Sequence, residues 1–79
     1  MKIYKVDYFN PFEDGEAKFK STEKEKQLYG IIGEVMYDAN QILGIWRFDI
    51  ETNQVDRGEV KWDEDRKQFE VIWELAWQA

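Results

Sequence analysis

From Gln68 to Trp77 the chain alternates without a break: Phe69, Val71, Trp73, Leu75 and Trp77 are interleaved with Gln68, Glu70, Ile72, Glu74 and Ala76. Successive side chains of a strand point to opposite faces, so five apolar positions at period two commit the segment to a strand with one buried face. A helix would scatter those residues around its circumference. A one-sided strand needs neighbours for its backbone and a second layer over its apolar face. The rest of the chain has to supply both.

Residues 2–9 (KIYKVDYF) alternate as well, with Tyr4, Val6 and Tyr8 on one side. Asn10-Pro11 ends that run and Glu13-Asp14-Gly15 is a turn signal. Ala17 and Phe19, among Glu16, Lys18 and Lys20, read as the returning strand of a hairpin. Residues 22–39 then change period. Leu28, Ile32, Val35, Met36 and Ala39 share a helical stripe with Ile31 beside it. Thr22 and Glu25 have capping-box spacing, and Asn40 suits the position past the helix end. Gly30 and Gly33 weaken a helix, and Tyr29, Ile31, Ile32, Val35 and Tyr37 suit a strand, so a strand is the competing assignment there.

The second half reads as β. Ile42, Gly44, Trp46, Phe48 and Ile50 are expected on one face of a strand, with Arg47 and Asp49 on the other. Residues 51–54 form a turn, Val60 and Trp62 point inward between Glu59, Lys61 and Asp63, and residues 63–67 form a second turn. The order is ββαβββ: one acidic α+β domain over 1–79, a mostly antiparallel sheet with one helix on one face. All four tryptophans are expected on the inward side. If 22–39 were extended, the alternative would be an all-β, barrel-like meander.

A chain of 79 residues with no cysteine can form no disulfide, and without histidine it also lacks both of the commonest zinc ligands. It folds by packing alone, with four tryptophans, four tyrosines and five phenylalanines as material. A core this small does not hide all of them, so some aromatic surface is left for a partner or a second copy.

The same absences narrow the chemistry. Ser21, Thr22 and Thr52 are the only hydroxyl nucleophiles of their kind, and none can have an imidazole base. Glu34 with Asp38, and Asp63 with Asp65, are carboxylate pairs, but no calcium-loop glycine and distal glutamate accompany them, nor any phosphate-cradling loop. Neither catalysis, a cofactor nor a metal is therefore expected. Gly30 and Gly33 would let another backbone approach if the helix exposes them, although a strand of the same domain is the expected cover.

Net charge is −6, with seventeen acids against eleven bases. That disfavours direct nucleic-acid binding and anionic membranes, and favours a larger protein with a basic surface. The N-terminal residues carry a charge every few positions and no apolar run reaches a membrane span, so the cytoplasm is the expected compartment. The acidic excess lies in residues 41–79. Asp49, Glu59, Asp63, Asp65, Glu70 and Glu74 are the candidate partner-binding carboxylates, with Ile72 and Ala76-Trp77 as apolar anchors.

In size and charge, though in no motif, the chain resembles phage-encoded inhibitors, anti-CRISPR proteins and nuclease immunity proteins. The resemblance implies a non-enzymatic inhibitor that blocks a basic, nucleic-acid-binding or nuclease site. The alternative is a homo-oligomeric structural or regulatory subunit, a homodimer formed by pairing of a free edge strand.

Overall fold

The computed structural model describes Met1–Ala79. Five strands and one helix follow in the order β1 (Lys2–Phe9), β2 (Lys18–Thr22), α1 (Glu25–Tyr37), β3 (Gln41–Asp49), β4 (Gln54–Asp63) and β5 (Gln68–Gln78). All neighbouring strands are antiparallel, and the sheet order is β2-β1-β3-β4-β5. This is the ββαβββ α+β arrangement. The sheet has two free edges and does not close, so the barrel-like meander is excluded.

Helix α1 lies over β1, β2 and β3, the half of the sheet that the first hairpin starts. Leu28 and Ile32 from its stripe meet Tyr4 and Val6 of β1, Ile45 of β3 and Val71 of β5, and these six form the core. The helix begins later than the capping-box spacing suggests. Thr22 belongs to β2, and its hydroxyl donates to Gln27 Oε1 while accepting from the Lys24 N–H. Lys24 takes the N-cap position with no side-chain cap. At the other end Ala39, not Asn40, adopts the left-handed conformation (φ 60°). The Ala39 N–H donates to Met36 O and the Asn40 N–H to Val35 O, which satisfies two free carbonyls of the last turn.

Two bulges change which side chains face the helix. Tyr8 pairs with Ile42 but Asp7 with Gly44, so Leu43 is an extra residue in β3. Beyond it, Ile45 and Arg47 share the helix side with Val6 and Tyr4, while Trp46 and Phe48 turn to the opposite face. The expected facing of β3 is thereby reversed after Ile42. A second shift makes Ala76 extra in β5: Leu75 pairs with Asp56 and Trp77 with Val55. Phe69, Val71, Trp73 and Leu75 keep one face as expected, but Trp77 crosses to the other. The tryptophans are therefore not all inward. Trp46 and Trp77 lie on the helix-free face, and Trp62, though on the helix side, is 52 % exposed beyond the reach of α1.

Arg47 has a buried role in place of the solvent-facing one expected. Its Nε donates to Asp56 Oδ2 at 2.8 Å, Gln54 Nε2 donates to Asp56 Oδ1 at 2.8 Å, and its guanidinium lies 4.5 Å from the Trp73 ring centroid. Trp73 in turn packs on Tyr4 at 5.9 Å. Asp56 is 4 % exposed, so this cluster ties β3, β4 and β5 together where α1 no longer covers them.

Candidate functional site

Because α1 is the only helix and covers one side, the other side of the sheet is uncovered. Strand register fixes what stands on it. Ile3 faces Phe48, Phe48 faces Val55, and Val55 faces Trp77, so one apolar row crosses four strands. Phe48, Val55 and Trp77, with Ile50, line a shallow depression of ≈ 420 Å³ at the β3–β4 turn. Trp77 is 58 % exposed.

Trp46 occupies the neighbouring row and is held in place. Its indole lies across Gly44, where a Cβ would come within 2.7 Å of Nε1, and Nε1 donates to Asp7 Oδ2 at 3.1 Å. Asp7 also pairs with Lys5 at 3.2 Å, and Lys5 Nζ sits 4.9 Å from the Phe19 ring centroid. Glycine at 44 is thus what lets a large aromatic lie flat on this face.

The charged part of the face belongs to β4 and β5. Arg57 faces Glu74, Glu59 faces Ile72 and Lys61 faces Glu70. The structure therefore gathers Glu59, Glu70, Ile72 and Glu74, with Ile72 surrounded by the three carboxylates; directly opposed residues lie ~5 Å apart and diagonal ones ~7–8 Å. None of the three has an ion-pair partner within 4.0 Å. Arg57, Gly58, Glu59, Ile72 and Glu74 outline a second open depression of ≈ 430 Å³. Acids exceed bases on these two strands, but Arg57 and Lys61 interrupt the array.

The remaining three carboxylates do not join it. Asp49 ends β3, opposite the first residue of β4 and on the helix side, and its Oδ1 accepts the N–H groups of Glu51 and Thr52 to close the β3–β4 turn. Asp63 closes the β4–β5 turn in the same way, accepting from Asp65 and Arg66. Asp65 sits in that turn, exposed. With ten residues in β4, Asp49 and Asp63 stand about 30 Å apart at ~3.4 Å per residue.

Sequence reasoning missed Ile3, Trp46, Phe48 and Val55 as surface residues. The one signal for them is the unbroken apolar run Ile42-Leu43-Gly44-Ile45, which leaves the facing of β3 open.

Ionisation is shifted on the helix side of the sheet. Burial pushes the Asp56 carboxyl up, yet the hydrogen bonds from Gln54 and Arg47 outweigh it and hold the group below its usual 3.8. Burial, aided by the charge of Glu25, raises the Tyr4 phenol. No group of three or more carboxylates has an arrangement that would hold a metal ion, and no helix is long and apolar enough to cross a membrane. Compared with known protein families, curated proteins and solved structures, the chain matches none of them.

Proposed function

We propose that this chain is a non-enzymatic protein-binding module, a small acidic inhibitor or immunity-type protein that lays its uncovered sheet face against a basic site on a larger protein. The observation that carries this reading is the ring of Glu59, Glu70 and Glu74 around exposed Ile72, none of the three held in an ion pair and all on the same face as half-buried Trp46 and Phe48 and exposed Trp77. Carboxylates already engaged within the chain would have to break those contacts to bind; these do not. Trp46, Phe48 and Trp77 supply the large, rigid apolar area that anchors an interface, and the acids supply the charge match and the register. A target that binds nucleic acid or cuts it presents the complementary basic surface.

Tagged protein incubated with a source-cell lysate is expected to retain a larger basic protein at low salt and release it near ~0.5 M salt. E70K/E74K is expected to abolish retention. That variant sets its two new lysines against Lys61 and Arg57 of β4, so E70Q/E74Q, which adds no cation, should reproduce the loss in weaker form with an unchanged circular dichroism spectrum. Full retention by both folded variants would refute the acidic face as the binding surface.

A further inference from the structure

We infer that β5 is the pairing edge of a symmetric homodimer, in which Gln68–Glu74 of two copies run antiparallel about a two-fold axis at Val71 and join both sheets into one. The inference rests on the edge and does not depend on the proposed target.

β5 is the longest strand, eleven residues, and β4 is the only strand paired with it. One row of its backbone N–H and C=O groups is therefore unpaired. Natural edges are blunted by short length, lysine, proline or a covering element. The opposite edge has three of these: β2 has five residues, carries Lys18 and Lys20, and has α1 beside it. β5 has none of them. Between Gln68 and Gln78 there is no lysine, arginine or proline, and Phe69, Ile72 and Leu75 are each about half exposed beside the free edge. The bulge at Ala76 lies beyond the regular run that ends at Leu75.

Symmetry then selects the register. Two antiparallel strands related by a two-fold axis normal to the sheet keep their faces, so the axis must pass through a residue. With the axis at Ile72, Glu70 would oppose Glu74 of the second copy, twice. With the axis at Glu74 or Glu70, that residue would oppose itself. Axes at Trp73 or Leu75 bring the Ala76 bulge into the pairing, past which Trp77 and Gln78 have changed faces, and leave five regular positions or fewer. At Val71, seven successive positions of the regular run, Gln68 to Glu74, pair: Glu70 faces Ile72, Glu74 faces Gln68, and Phe69 faces Trp73. No carboxylate meets another directly. Each copy carries −6, so the dimer is expected to tighten as salt screens the mutual repulsion, the opposite of a complex with a basic target.

Sedimentation equilibrium of the full chain tests this directly. The wild type is expected to dimerise and to do so more strongly at high salt. I72E sets a new carboxylate against Glu70 of the other copy at two symmetric places and is expected to weaken the dimer about tenfold, whereas I72K sets an ammonium there and should tighten it. Thermal melts followed by circular dichroism verify that both variants fold, since residue 72 also faces Glu59 within its own chain. Should I72E not fold, I72K and a spin-label distance decide. The chain has no native cysteine, so a label at Q68C is unique. Gln68 pairs with Glu74 of the second copy in the Val71 register, which places the two labels ~20 Å apart at about six residues of ~3.4 Å. A monomer at all concentrations, equal dimerisation of I72E and I72K, or a label separation far from that value would overturn the proposal.

Discussion

Asp56 is the one acid that the fold takes out of water, and Arg47 and Gln54 are what make that tolerable. A carboxyl whose folded value lies below its unfolded one stabilises the fold at pH above the unfolded value, and that stabilisation fades as pH falls toward the folded value. Asp56 lies below 3.8 in the folded chain, so its contribution is complete at neutral pH and is lost as acid is added below about 4. D56N leaves Arg47 half-buried without its counter-charge and is expected to cost about 1–3 kcal/mol at neutral pH. The gap between wild type and D56N should close as pH drops through that range, measured by urea unfolding at a series of pH values. A constant gap would show that the charge is not what Asp56 contributes. None of this was legible from pattern. Arg47 follows an apolar run with no alternation, and only the bulge at Leu43 decides that it points inward.

At the level of the element, α1 was readable and its ends were not. The stripe of Leu28, Ile32 and Val35 is what the core uses, because tertiary burial depends on period alone. Caps depend on where neighbouring strands stop. Pairing with Tyr4 of β1 draws Thr22 into β2 and out of the capping box. At the C-terminus a non-glycine residue, Ala39, carries the left-handed turn, a conformation that costs an L-residue roughly 1–2 kcal/mol. A39G is therefore expected to stabilise the chain by about 1 kcal/mol after glycine's own entropy is counted, seen as a higher urea midpoint with an unchanged slope. A lower midpoint would mean that the alanine methyl group makes a compensating contact. Gly30 and Gly33 also resolve here: the segment is helical and both face open space, not a covering strand. Strand β5 was the most legible element, and its single misreading, Trp77, follows from one extra residue at Ala76.

Across the whole molecule, element order and the open antiparallel sheet followed from the sequence, while the grouping of the acids did not. Charges adjacent in sequence, such as Asp63 and Asp65, serve a turn; those that converge, Glu59 with Glu70 and Glu74, do so only through β4–β5 register. The strand order also has a kinetic consequence. Every neighbouring pair in the sheet is a local hairpin except β1 with β3, which joins Lys5 to Trp46 across β2 and α1. Closing a loop of about 40 residues costs ~3.3 kcal/mol of chain entropy against ~2 for a ten-residue one. The meander β3-β4-β5 is therefore expected to gain protection first in pulse-labelled hydrogen exchange during refolding, with the amides shared by β1 and β3 following; the reverse order would show that α1 draws β1 in early. A chain caught midway would be a hairpin and a three-stranded meander with a helix between them, and the seam that joins the two parts of its sheet would be the last to be made.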